Sequence, residues 1–408
     1  MEELLRITIH RGARQIGGSL TEISTEKSRV FIDFGENLPG ARAPSRAVDG
    51  LTFGACENSA LFLTHYHGDH IGRLAEALPG VPVYMGKTAK AIQMNLAERT
   101  DKEKVQMYDR VRAFTPLETI PVGDICVMPL MIDHSAFDAY MFIIQAGEKR
   151  ILHTGDFRLH GVRGGKTLTM LRSYAKNIDH LVCEGTTLSR SGEPPMTEYA
   201  LRRAASGMMK AAKYVFVLCS STNIDRIGAF YHAAPRGRMF VCDMYQKKQL
   251  DIVRENHAGK SKYYDFRYIY AYAPNLDAHM AERGFCMLIR QNDFSRRVME
   301  KYKDNCLVIY SMWTGYLDDR AKNQDLFDFL SPYRFRVLHT SGHASPEDIQ
   351  KLYETVQPKC GLIPIHTDAP EMFIGIAPRE KIFFLEDGEP WHCDAINMER
   401  GIQEGWGV

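Results

Sequence analysis

The sequence predicts an α/β protein in which a metal-binding domain is interrupted by a second αβ unit. Three observations carry this. His65, His67, Asp69 and His70 pack four metal-binding side chains into six positions of Leu61-Phe-Leu-Thr-His-Tyr-His-Gly-Asp-His-Ile71. From Met196 the pattern becomes a regular helix–strand alternation, which implies a parallel sheet with crossover helices. After about Arg334 the chemistry-bearing segments resume with His343 and His366. A chain of 408 residues is also long for a single core.

Residues 1–10 alternate like a strand and lack the apolar h-region of a signal peptide. The apolar run from Ala60 to Leu63 reads as a short buried strand, and Ile71, Leu74, Ala75 and Leu78 recur at helical spacing. The ligand run therefore falls on a strand-to-helix turn. Such a turn aims alternate side chains at two neighbouring points, His65 and His67 at one ion, Asp69 and His70 at a second. Imidazole and carboxylate suit zinc, manganese or iron. Histidine is a minor residue here, 15 in 408, which argues against a chance histidine-rich surface loop.

Three further groups stand where a buried strand finishes. His134 lies in Met131-Ile-Asp-His-Ser135 after the stretch Ile125 to Ile132. Asp156 ends Ile151-Leu-His-Thr-Gly-Asp156, and His366 ends Leu362-Ile-Pro-Ile-His366. Open αβ sheets gather their functional residues at such positions. His153, His160, His232, His257 and His339 lack comparable placement and read as structural or exposed. In the second unit a helix is expected over roughly Thr197 to Lys213, then a strand from Tyr214 to Cys219 and a helix after Thr222. A strand from Met239 to Cys242 and a helix from Gln246 follow, with later apolar runs at Phe285 to Ile289 and Leu307 to Tyr310.

Composition narrows the function classes. No apolar run approaches a membrane span. The nine cysteines include no CxxC pair, and Cys183, Cys219 and Cys242 in apolar runs suit reduced core thiols of a cytoplasmic protein. Net charge is only +1, so nucleic-acid binding would need local basic patches. One candidate is Gly259-Lys-Ser-Lys-Tyr-Tyr-Asp-Phe-Arg-Tyr-Ile-Tyr-Ala-Tyr272, where basic groups interleave with aromatics. A loop entering an aromatic core strand is the preferred reading of that segment.

These residues resemble a known family. The HxHxDH run, with Asp33 in Val30-Phe-Ile-Asp-Phe-Gly35 before it and His134 and Asp156 after it, is similar to the metallo-β-lactamase superfamily. Glu184 in Leu181-Val-Cys-Glu-Gly-Thr186 resembles the acidic first motif of the β-CASP branch. His343 in Thr340-Ser-Gly-His-Ala-Ser345 resembles its second motif and His366 its third. That branch contains ribonuclease J, the pre-mRNA 3′-end endonuclease and the DNA cross-link repair nucleases. His153-Thr-Gly-Asp-Phe-Arg158, Ser220-Ser-Thr-Asn223 and Ser341-Gly-His-Ala-Ser345 are similar to segments of ribonuclease J. Tyr66 and Gly68 fill the variable positions of the HxHxDH run differently. Ribonuclease J usually continues into a C-terminal domain linked to dimer formation, whereas about forty residues follow His366 here. Oligomeric state is therefore left open.

The resemblance implies an αββα metallo-β-lactamase sandwich, residues 1–190 and 336–408, with an inserted β-CASP αβ domain, residues 191–335. The site is expected in the cleft between them. His65, His67 and His134 are expected to bind one divalent ion, Asp69, His70 and His366 a second, with Asp156 bridging; zinc is the expected metal and manganese the alternative. Asp33 would orient a ligand histidine. The catalytic set is His343 as general acid, Glu184 hydrogen-bonded to it, and Asp69. Ser341, Ser345 and Ser221 would cradle a substrate phosphate beside a helix N-terminus, although Ser345 reads equally well as a helix cap. The implied function is a metal-dependent ribonuclease acting on single-stranded RNA in the cytoplasm, without a membrane partner. Three alternatives stand beside it: a single-stranded DNA nuclease, a small-molecule metallo-hydrolase, and a silent scaffold subunit. The second αβ unit and His343 argue against the small-molecule hydrolase, and the intact ligand set argues against the scaffold.

Overall fold

The computed structural model describes residues 5–39, 41, 46–190 and 194–393. Of the strand expected over residues 1–10, Arg6–Arg11 is present and residues 1–4 lie outside the described residues.

Two sheets face each other across one core. The first has seven strands, in the order Pro390–His392, Arg6–Arg11, Leu20–Ser24, Arg29–Ile32, Ser59–Phe62, Val83–Gly86 and Arg112–Phe114. The second has six, in the order Gly361–Ile365, His180–Glu184, Lys149–His153, Ala139–Ala146, Ile125–Ile132 and Ile120–Val122. Alternate side chains point inward, the period of two that a pleated strand imposes. Ile7, Ile9, Ile23, Val30, Ile32 and Phe62 of the first sheet thereby meet Ile125, Val127, Phe142, Ile144, Val182 and Ile363 of the second. The complementary residues face outward. Leu61 and Met85 pack with Ile92 of helix Lys87–Thr100. Leu130, Leu152 and Leu181 pack with Leu171 of helix Gly164–Tyr174 and Leu352 of helix Pro346–Val356. The result is the expected αββα sandwich.

The third sheet is wholly parallel, in the order Ile269–Ala271, Met239–Cys242, Phe285–Ile289, Tyr214–Leu218, Cys306–Tyr310 and Phe335–Val337. Parallel sheets need both faces covered. One face packs on Leu201, Ile227, Phe230 and Leu250, the other on Val298, Met299 and Phe329, all from intervening helices. The chain leaves the second sheet after Glu184, builds the third, and returns to pair Gly361–Ile365 directly with His180–Glu184.

Two local expectations differ from the structure. After His70 there is one helical turn, Gly68–Ile71, and a 3₁₀ turn, Leu74–Glu76, instead of a continued helix. The backbone there bonds elsewhere. Phe34 N donates to His70 O at 2.7 Å, and Arg73 N donates to Phe34 O at 3.1 Å. The helix expected from Gln246 starts earlier, at Met244, because Asp243 is its N-cap and Gln246 closes a capping box as the third helical residue. The aromatic segment 259–272 divides: Tyr264, Phe266 and Ile269 are buried, whereas Tyr268 and Tyr270 are exposed. Among the described residues no helix is long and apolar enough to cross a membrane.

Candidate metal centre

The predicted ligands meet at the ends of strands from both sheets of the sandwich. His65 Nε2 lies 3.1 Å from His67 Nδ1, which lies 3.2 Å from His134 Nε2. Ligand nitrogens around a tetrahedral zinc, at Zn–N of about 2.0–2.1 Å, stand roughly 3.3 Å apart. A second trio, Asp69, His70 and His366, has ligand atoms within 4.8 Å of one another. In it Asp69 Oδ2 is 3.3 Å from His366 Nε2 and 3.9 Å from His70 Nε2. Asp156 lies between the trios. Its Oδ2 is 3.2 Å from His70 Nε2 and 3.8 Å from His65 Nε2, and its Oδ1 is 3.6 Å from His366 Nδ1.

The local chain explains this convergence. Asp33 has a left-handed backbone, φ 62°, and is fully buried. It accepts hydrogen bonds from Thr64 N at 2.7 Å and Thr64 Oγ1 at 2.8 Å, and its Oδ2 pairs with His70 Nδ1 at 2.7 Å. Holding Nδ1 turns Nε2 of His70 toward Asp156. Gly35 admits the close approach of the two loops, since a Cβ there would lie 1.6 Å from Asp69 O. His366 also has a positive φ, 50°. It is held by its own N–H donating to Gly12 O at 2.7 Å and by Thr186 Oγ1 at 2.8 Å from its Nδ1. Strained backbone at two positions of one cluster persists only where the surroundings over-determine it.

Electrostatics separate the trios. Burial pushes His65 and His134 well below the usual imidazole range, assisted by neighbouring imidazoles, and lowers His67 to about 4 against the opposing pull of Asp69. Burial thus favours the neutral, lone-pair-bearing form of all three. His70 moves the other way: burial lowers it, but Asp156, Asp33 and Asp69 together raise it well above its usual value. Burial would raise Asp156, yet His366, His70 and His343 hold it well below the carboxylate range. Both Asp156 oxygens and His70 Nε2 are nevertheless buried without a well-formed hydrogen bond. Carboxylate oxygens left so are costly unless a cation compensates them. A buried set of imidazole nitrogens and carboxylate oxygens fits that need, and the cluster is a divalent metal-binding site.

Glu184 and His343 adjoin it. Glu184 Oε1 accepts from Phe157 N at 2.7 Å, and Oε2 lies 3.2 Å from His343 Nδ1, itself 3.5 Å from Asp156 Oδ2. Glu184 and Asp156 raise the His343 pKa against the lowering effect of burial. Of the three serines, Ser341 Oγ accepts from His343 N at 3.0 Å. Ser345 caps helix Pro346–Val356 through Asp348 N at 3.1 Å, and Ser221 Oγ accepts from Gln246 Nε2 at 3.2 Å.

Sequence reading missed what ties the third sheet to this site. Tyr66, at a variable position of the HxHxDH run, donates its hydroxyl to Thr222 O at 2.8 Å and accepts from Phe137 N at 2.6 Å. Arg158, fully buried, donates to Asp133 at 2.8 Å, Glu198 at 3.1 Å and Ser341 O at 3.1 Å. Arg226, equally buried, donates to Glu198 at 2.9 Å, Thr340 O at 3.0 Å and Ser311 Oγ at 2.8 Å. His160, read as structural, holds the same turn, its Nε2 3.0 Å from Ser341 O. Asp133 adjoins His134 in sequence, and Arg158 ends the segment His153–Arg158, two residues after Asp156. Replacing Glu198 by alanine leaves the buried Arg226 guanidinium without its carboxylate partner, while Arg158 keeps Asp133, and is expected to cost about 3–5 kcal/mol in denaturant unfolding. Burial opposes ionisation of Glu198, but Arg226 and Arg158 hold its pKa down to about 2. Its contribution is therefore complete above the unfolded value of about 4.3 and is lost as pH falls through the folded value.

Residues 21–176 match the metallo-beta-lactamase superfamily, and residues 333–374 match the Zn-dependent metallo-hydrolase RNA specificity domain. Both matches, together with the relatives below, support similarity to the metallo-β-lactamase superfamily and to its ribonuclease J-like β-CASP branch. It is 26% identical to ribonuclease J of Helicobacter pylori strain J99 over 427 aligned positions, covering 94% of this chain and 60% of that protein. It is 21% identical to ribonuclease J of Mycoplasma pneumoniae, covering 95% and 75%, and 25% identical to that of Mycobacterium tuberculosis H37Rv, covering 89% and 68%. The chain thus spans about 60% of the length of its Helicobacter relatives. The crystal structure of a protein of unknown function from Enterococcus faecalis V583 shares the fold, with TM-score 0.75 at 23% identity over 95% of this chain and 100% of that one.

Proposed function

We propose that this protein is a dinuclear metal-dependent ribonuclease that hydrolyses phosphodiester bonds of single-stranded RNA. The observation that carries the reading is the pair of ligand trios joined at Asp156, with the Glu184–His343 pair beside them. The matched RNA specificity domain and the ribonuclease J relatives support it. In this reading His65, His67 and His134 hold one ion, Asp69, His70 and His366 the other, and Asp156 is common to both. Zinc is the expected metal, with manganese as the alternative. Bound there, two divalent ions would supply an activated water at neutral pH and offset charge building on the phosphorus oxygens.

The chain's own groups do the rest. Asp33 fixes the orientation of His70. His343 gives its proton to the leaving oxygen, and Glu184 keeps that imidazole protonated and aimed. Asp69 reaches both His70 and His366 and so sets the second trio. Ser341, Ser345 and Ser221 lie on turns suited to a substrate phosphate. We assign residues 1–190 and 336–408 to the metal domain and 191–335 to the insert; departure after Glu184 and return at Gly361–Ile365 support that division. The buried thiols of Cys183, Cys219 and Cys242 suit a reducing cytoplasm.

The test is a single-turnover competition between matched single-stranded RNA and DNA, each with 5′-phosphate or 5′-hydroxyl ends, on metal-loaded protein. RNA should be cleaved faster, and binding should weaken with salt because phosphates supply much of the affinity. Equal or faster cleavage of DNA would overturn the RNA assignment. Turnover of lactones or thioesters with neither nucleic acid cleaved would overturn the nuclease reading altogether.

A further inference from the structure

Ligands of parallel αβ sheets bind beyond the carboxyl ends of the strands, and in the third sheet one such loop is unlike the others. Strand Cys306–Tyr310 lies between Tyr214–Leu218 and Phe335–Val337. Its two neighbours lead straight to the site. The first ends in the loop whose Thr222 O takes the Tyr66 hydroxyl of the ligand run; the second runs on to Ser341 and His343. The loop between them presents Trp313, half exposed at 51%.

The indole is held in place from several sides. Its backbone carbonyl accepts from Tyr310 Oη at 2.9 Å. Its ring lies against Gly315, where a Cβ would come within 2.3 Å of it. Tyr316 stands edge-on, ring centroids 5.3 Å apart at 83°. The Arg190 guanidinium lies 5.9 Å from the ring centroid. Arg190 belongs to the loop that follows Glu184, and the preceding Ser189 bonds Asp368 Oδ1 at 2.7 Å, two residues beyond His366. Trp313 therefore stands close to the loop that follows Glu184, which is tied in turn to the segment after His366. Beside it opens a depression of about 410 Å³ lined by Gln291, Met312, Tyr316 and Asn323. A splayed nucleobase stacks on an aromatic face or a guanidinium, which Trp313 and Arg190 offer, and hydrogen-bonds its edge to amides, which Gln291 and Asn323 of the adjoining depression offer.

We infer that Trp313, with Arg190 and the adjoining depression, is a nucleobase-stacking site that holds one nucleotide of the substrate strand away from the scissile bond. It rests on the nuclease reading above. The site makes no demand on which base is present, because every base has a π-face. Its contribution is to binding rather than to bond breaking.

The test uses metal-loaded protein, a single-stranded oligoribonucleotide and a small chromogenic phosphodiester too short to reach Trp313. Trp313→Ala should raise KM for the oligonucleotide about tenfold with kcat nearly unchanged, and Trp313→Phe should restore most of it. Both variants should hydrolyse the small diester like the parent. Walking one abasic nucleotide along the substrate should find a position that costs the parent the same factor and costs Trp313→Ala nothing further. Unchanged KM in Trp313→Ala, with RNA still cleaved, would overturn the stacking site and leave the nuclease reading intact. Loss of small-diester turnover in that variant would make Trp313 structural and also overturn it. Failure of the parent to bind or cleave any nucleic acid would remove both.

Discussion

Asp156→Ala is expected to lose essentially all hydrolysis while remaining folded. Asp156 lies within reach of both ligand trios, 3.2 Å from His70, 3.8 Å from His65 and 3.6 Å from His366. Its oxygens carry no well-formed hydrogen bond, so alanine breaks no hydrogen-bonded scaffold. His70 loses one carboxylate neighbour but keeps Asp33 at 2.7 Å, so circular dichroism and the unfolding midpoint should stay near the parent's. The chemistry has no such tolerance, because water activation at a paired metal site depends on ligands that hold both ions together. Near-normal turnover in this variant would show that the centre is placed wrongly.

His343→Ala is expected to slow the chemical step by about 10²–10⁴-fold, the usual contribution of a positioned general acid. Metal content should be unchanged. Glu184 contacts His343 at 3.2 Å and leaves it partly exposed to the cleft. The nearer imidazoles His65, His67 and His134 converge on one another instead. Single-turnover rates with elemental analysis of the same sample check both halves. Asp156, Glu184, His343 and His366 can also be grouped as possible ligands. A variant that loses metal and regains activity when metal is restored would therefore make His343 a ligand.

How much of this was legible in the sequence depends on range. The ligand run was readable because its chemistry is local, four donors in six residues. His134, Asp156 and His366 were readable because each closes an apolar strand, a pattern that survives without knowing which strands pair. The helix expected after His70 failed for the opposite reason: Phe34, more than thirty residues earlier, takes the backbone groups that would have continued it. Arg158, Glu198 and Arg226 were invisible as a group. They are far apart in the chain, and charged residues read one at a time suggest a solvated surface, whereas here they pair with one another in the interior. Trp313 carried no signal either, since an aromatic after an apolar run reads as core.

Elemental analysis of metal-reconstituted protein tests the central claim most directly, because the proposed reaction needs both ligand trios to be filled. About two divalent transition-metal ions per chain are predicted, from the two trios that share Asp156. A stoichiometry near zero after reconstitution would contradict the metal centre, and a firm single ion would contradict the shared-carboxylate arrangement.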